Sequence, residues 1–224
     1  MDTDQLIKRL AADLRPVKPL RSPSARAVLW IGMALPCVAA VVWGKHLMPE
    51  PALVGSDTRF IIEQAATLAT ALTAAIAAFS SVIPGHDWRI MLLPLGPLGL
   101  WLASVSHGCV QDWVRFGADG LTIRPDWDCL PTATIIGIIP AVALVLMLRR
   151  GAPLNPRLTL ALAVLAVASL GNFGLQFAHA RDVSIMVLVW HLGALAVLSA
   201  LGGWLGERIL GWGSAPSLVH GAQQ

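Results

Sequence analysis

Six hydrophobic runs, each close to the length an α-helix needs to cross a bilayer, constrain this chain more than any other feature. They cover approximately residues 27–44, 60–82, 90–107, 132–148, 158–178 and 183–206. An apolar helix of about 20 residues rises roughly 30 Å, the thickness of the hydrocarbon core, and only a segment that satisfies its backbone groups internally is stable there. The expected fold class is therefore all-α: a polytopic membrane protein built as a six-transmembrane-helix bundle. Composition agrees, with 56% of residues hydrophobic and 13% charged, outside the range of ordinary soluble domains. Pro94 and Pro97 in the third run and Pro140 in the fourth are read as kinks, tolerable where neighbouring helices satisfy the freed carbonyls. The first residues mix acids and bases without the apolar core of a secretory signal, so the first run is expected to stay in the mature chain.

Lys and Arg set the orientation of such a bundle. Lys8, Arg9, Arg15, Lys18, Arg21, Arg26, Arg89, Arg149, Arg150, Arg157 and Arg208 fall on the side that holds both termini, whereas Lys45, Arg59, Arg115, Arg124 and Arg181 fall on the other. The positive-inside rule then predicts N- and C-termini in the cytoplasm and the 108–131 loop outside. Trp43, Trp88, Trp113, Trp127 and Trp204 fall near predicted span ends, where amphipathic rings favour the interface. In the second run, Ala66, Thr70, Ala74 and Ala78 repeat a small residue every fourth position beside a parallel row of Thr67, Ala71 and Ala75. Small rows of this kind allow close backbone approach, which predicts a central packing helix.

Ahead of the first run, residues 2–14 carry Leu6, Ile7, Leu10 and Leu14 on one stripe, with Asp4, Lys8, Arg9 and Asp13 elsewhere. The pattern predicts a short amphipathic helix, capped by Asp2 or Thr3 and ended by Pro16. A helix this short is marginal alone in water, so its apolar stripe needs the membrane surface, the rest of the protein or a partner. Three regions follow: residues 1–26 as helix and basic linker, 27–210 as the membrane domain with its 108–131 loop, and 211–224 as a cytoplasmic tail.

The longest polar interruption runs from His107 to Pro131 and is bracketed by Cys109 and Cys129, with Asp112-Trp113 and Asp126-Trp127-Asp128 inside. In an oxidising compartment the two cysteines can pair, and such a bridge stabilises by about 3 kcal/mol when unstrained. Two readings stand side by side: a permanent staple, as most outside cysteine pairs are, or a redox or thiophilic-metal sensor whose states hold the third and fourth spans differently. His107 and the aspartates suggest a metal only faintly, because no Cys-x-x-Cys or His-Glu-x-x-His spacing is present, and no metal ligand set is assigned. Cys37, beside Pro36 in the first span, reads as a small buried hydrophobe.

Polar residues inside spans are costly and therefore informative. Glu63 and Gln64 lie near the outer end of the second run, Asn172 and Gln176 in the fifth and His191 in the sixth, and Glu63, His107, Gln176 and His179 share a similar outer depth. They are expected to form interhelical hydrogen bonds, with proton relay as the sharper alternative. No Gly-rich phosphate loop and no nucleophile with its base is present, so no catalytic residue and no cofactor is assigned. The diffuse basic charge gives no support for direct nucleic-acid binding. A membrane thiol oxidoreductase would normally carry Cys-x-x-Cys, and a small transporter would use Glu63, His191 and the prolines as its pathway.

Taken in order, Thr3-Asp4-Gln5-Leu6-Ile7, the stretch from Leu10 through Asp13-Leu14-Arg15-Pro16-Val17, Gly108-Cys109 with Asp112-Trp113, Cys129-Leu130-Pro131, Arg149-Arg150-Gly151-Ala152-Pro153 and Trp190-His191-Leu192-Gly193 resemble the NrsF family, the negative regulators of sigma F. The resemblance spans essentially the whole chain. It implies a non-enzymatic, multi-pass anti-sigma factor of the bacterial inner membrane that holds an extracytoplasmic-function sigma factor until oxidative or heavy-metal stress is sensed. It maps the family's cysteines onto Cys109 and Cys129 and so favours the sensor. In that setting Leu6, Ile7, Leu10 and Leu14 are the expected sigma-factor contacts.

Overall fold

The computed structural model describes residues 2–12, 20–44, 58–85, 87–117, 129–151, 153–177 and 187–210. Among them the chain forms α1 (Thr3–Ala12), α2 (Pro23–Gly44), α3 (Thr58–Ser80), α4 (Leu95–Phe116), α5 (Cys129–Leu148), α6 (Pro156–Leu175) and α7 (Gly193–Leu210), and no strand. A 3₁₀ turn at Trp88–Leu92 precedes α4, and a π-helical turn at Val187–Leu192 leads into α7. Helices α2 to α7 give six elements long and apolar enough to cross a membrane, as the hydrophobic runs predict.

Helix ends follow local chemistry more closely than hydropathy. Asp2 offers its carbonyl to the Gln5 and Leu6 amides at 3.1 Å each and starts α1, while Leu14 and Pro16 lie outside the described residues. Asn155 accepts from the Leu158 amide at 3.1 Å and Pro156 occupies the first position of α6, where no N–H is needed. Pro94 and Pro97 do not kink the third span: Pro94 caps α4 and Pro97 sits in its first turn, positions that cost no backbone hydrogen bond. That span also runs on to Phe116 instead of stopping at 107, and ends at Gly117, whose φ of 61° is the left-handed region where a β-carbon is penalised. Pro140 does lie inside α5, and Trp30 Nε1 of α2 donates to its carbonyl at 2.9 Å.

The core is a central pair, α3 and α6, with α2, α4, α5 and α7 packed around it. Ala66, Thr67, Thr70, Ala71, Ala74, Ala75 and Ala78 are all buried, so the small rows of α3 are its packing face. Helix α6 is buried on more than one side because α3, α5 and α7 all pack on it. Its contact with α7 depends on Gly202 and Gly206, spaced one turn apart. A β-carbon at Gly206 would press on the Pro156 carbonyl, and one at Gly202 on Val164.

Side chains lace the helix ends together. At one end Ser81 and Thr159 hydroxyls meet at 2.7 Å, Arg157 pairs with Glu207 at 2.9 Å, and Arg149 donates to the Ile209 carbonyl at 3.0 and 3.2 Å. Buried Arg26 stacks 4.3 Å over the Phe79 ring and donates to the Met147 carbonyl. Met147 and Ile209 lie in last helical turns, whose carbonyls have no intrahelical donor and carry the negative end of the helix dipole, so a guanidinium suits them. At the opposite end Phe60 and Phe173 each pack edge-on against Phe177, at 5.9 and 5.6 Å between centroids. Trp43, Trp88, Trp113 and Trp204 are exposed, consistent with interfacial positions, and Trp127 lies outside the described residues.

Candidate functional site

The two cysteines sit on helices and not in a loop. Cys109 lies in the last two turns of α4, and Cys129 is the first residue of α5; Asp126, Trp127 and Asp128 lie outside the described residues. The expectation of a stapled loop starting at His107 therefore changes. The polar composition predicts a loop, but His107 to Phe116 carries no proline or glycine run to break the helix after Gly108, and α4 continues past the apolar stretch. Cys109 is half-buried and carries a free thiol, as does Cys37, whose Sγ lies 3.4 Å from the Met33 carbonyl within its own helix. Helix α4 packs on α3, whereas α5 packs on α2 and α6, and α4 and α5 make no substantial contact with each other. A bond or shared ligand between residues 109 and 129 would thus join helices that rest on different members of the central pair, α4 on α3 and α5 on α6.

Around Cys109 the structure assembles a polar clasp that sequence reading only half anticipated. Arg59 Nε pairs with Glu63 Oε1 at 2.9 Å, one helical turn apart on α3, and Ser104 Oγ of α4 donates to the same oxygen at 3.2 Å. The Arg59 guanidinium lies where a β-carbon at Gly108 would be, so it is seated directly on the α4 backbone. Arg59, Glu63 and Asp112 all act electrostatically on the Cys109 thiol. The sequence marks Arg59 only as one outer-side cation; its i,i+4 spacing to Glu63 is the available signal, while Ser104 carries none and Gly108 enters only as the neighbour of Cys109.

The expected outer cluster is otherwise not brought together. Glu63 turns to Arg59 and Ser104; His107 is exposed; His179 lies outside the described residues. Gln176 caps α6 with both side-chain polar atoms buried and unpartnered, and Gln64 is in the same condition, so the expected interhelical bonds are not made by these amides. His191 is placed by its backbone in the π-helical turn. Among the described residues no group of His, Cys, Asp and Glu is arranged to hold a metal ion. On α1, Leu6 and Ile7 are exposed, Leu10 lies in the helix, and Leu14 is outside the described residues.

A bundle of six apolar helices of membrane-spanning length, preceded by an exposed amphipathic helix, is compatible with a multi-pass α-helical membrane protein. The family model described as negative regulator of sigma F matches residues 10–212, nearly the whole chain, and the protein belongs to that family. No curated relative and no solved structure matches the chain. Membership makes the protein a negative regulator whose partner is a sigma factor.

Proposed function

We propose that the protein is an inner-membrane anti-sigma factor that holds an extracytoplasmic-function sigma factor at the cytoplasmic face and releases it on oxidative or heavy-metal stress sensed by Cys109 and Cys129. Family membership over residues 10–212 carries the reading, and two features give it a mechanism. Helix α1 exposes Leu6 and Ile7 with no partner surface on the bundle among the described residues, as a docking helix for another protein would. Cys109 and Cys129 belong to helices that share no substantial interface.

Oxidation of the two thiols to a disulfide removes two electrons and two protons, which an oxidant such as a peroxide accepts. The new bond pulls α4 toward α5, and because α4 rests on α3 and α5 on α6, the pull bears on the central pair. A thiophilic cation bridging the same sulfurs would act in the same direction. Either signal shifts the bundle only by binding or bonding differently to its two states. The membrane domain is the transmitting body, and residues 1–26 are the output.

A reporter for the sigma factor in strains carrying Cys109→Ser, Cys129→Ser or both tests the input end: loss of induction in each supports the sensor, and unchanged induction in all three rejects it. Deleting residues 1–15 tests the output end. Constitutive reporter activity and loss of sigma-factor pull-down are expected, and retained pull-down rejects α1 as the docking element.

A further inference from the structure

A groove of about 410 Å³ runs between α5, α6 and α7. Helix α6 forms its floor, and α5 and α7 form walls that both pack on α6 without substantial contact between themselves. The lining is apolar and small, with Gly137 and Ala141 on α5, Val167 and Gly171 on α6 and Leu198 on α7. A β-carbon at Gly171 would meet nothing within 4 Å, so open space reaches the α6 backbone there. The polar exception of interest is Asn172, which lines the groove while only 6% exposed and whose Oδ1 has no hydrogen-bond partner.

Length and hydrogen-bonding chemistry select among occupants. On α6 the groove extends from Leu160 to Leu175, roughly 20 Å of helix at 1.5 Å per residue. One extended hydrocarbon chain matches that length. A glycerolipid carries ester carbonyls at the head of its tails, which accept and cannot donate to an amide oxygen. Asn172 lies within one turn of the end of α6 at Leu175, the depth at which a chain would end in a headgroup. A buried amide oxygen without a donor is costly, and a hydroxyl or protonated acid group would satisfy it.

We infer that this groove is a binding site for a single-chain amphiphile, its linear hydrocarbon tail lying along Gly137, Ala141, Val167 and Gly171 and its hydroxyl or protonated acid headgroup donating to Asn172 Oδ1. The inference does not depend on the sensor reading, because no residue of the clasp lines the groove. Such a site would let the lipid-derived content of the membrane bias how α5 and α7 seat on the central helix.

The test uses the full-length protein in nanodiscs and hexadecanol carrying a mid-chain diazirine, with phosphatidylglycerol carrying the same group in one tail as the comparison. Saturable photolabelling of α5 and α6 peptides by the alcohol, competed by unlabelled hexadecanol, is expected. Gly171→Leu, which fills the groove, should abolish it, and Asn172→Leu should weaken it about fivefold, the value of one hydrogen bond. Should Gly171→Leu fail to fold, Ala141→Leu fills the same space from the α5 wall. Labelling that does not saturate, or that survives filling of the groove, overturns the site. Equal labelling by phosphatidylglycerol makes the occupant a tail of the bulk bilayer and overturns the single-chain assignment.

Discussion

At the scale of single residues, the Arg59 clasp turns an isolated intramembrane acid into an interhelical fastener. A charge near the end of a span is expensive unless paired, and Glu63 meets both a guanidinium at 2.9 Å and a hydroxyl at 3.2 Å. Gly108 matters because its missing side chain is the seat of the guanidinium. Gly108→Val is expected to expel Arg59 and cost about 1–3 kcal/mol, read as a lower midpoint in thermal unfolding of the detergent-solubilised protein. A double-mutant cycle of Arg59→Ala and Glu63→Ala should show coupling of about 1 kcal/mol, with the double variant less destabilised than the two single effects added. Additive effects would mean that the pair contributes nothing to holding α3. The sequence could name Glu63 as an unusual residue, since polarity inside an apolar run is visible in one dimension. It could not name Ser104 or Gly108, because their role exists only where α4 crosses α3.

At the scale of elements, hydropathy marked where the chain enters hydrocarbon and not where helices stop. The small rows of α3 were legible because a period of four repeats along one helix. The π-helical entry to α7 and the nine-residue extension of α4 past 107 were not, since each is decided by packing and by local breakers such as Gly117. Gly202 and Gly206 stand one turn apart in the sequence, but nothing there marks their partners on α6, Val164 and the Pro156 carbonyl. Gly206→Val should drive α7 off α6 and cost about 2–3 kcal/mol or prevent assembly, scored by loss of the monodisperse species in size-exclusion chromatography. For α1, replacing exposed Leu6 and Ile7 together by Asp keeps the helix soluble while erasing its stripe. Sigma-factor capture should fall at least tenfold in a pull-down, with the membrane domain unaffected.

At the scale of the whole molecule, the described helices alternate in direction, so Arg26, Arg89, Arg149, Arg150, Arg157 and Arg208 gather at one end and the Cys109 clasp lies at the other. The positive-inside rule then predicts opposite faces for the two ends. With Cys37 and Cys129 replaced by Ser, a membrane-impermeant maleimide applied from outside is expected to label Cys109, whereas a cysteine placed at Arg150 in a chain lacking all three native cysteines should label only after the membrane is opened. The reverse pattern would invert the bundle and detach the cysteines from any extracytoplasmic signal. Two of these arginines do more than mark a side, because Arg26 closes the last turn of α5 and Arg149 the last turn of α7. During synthesis α2 enters the bilayer long before α5 exists, so Arg26 spends that interval without the carbonyl it later occupies. The contact that ties the start of α2 to the last turn of α5 can therefore close only after Met147 has been synthesised, so the basic end is completed late in assembly.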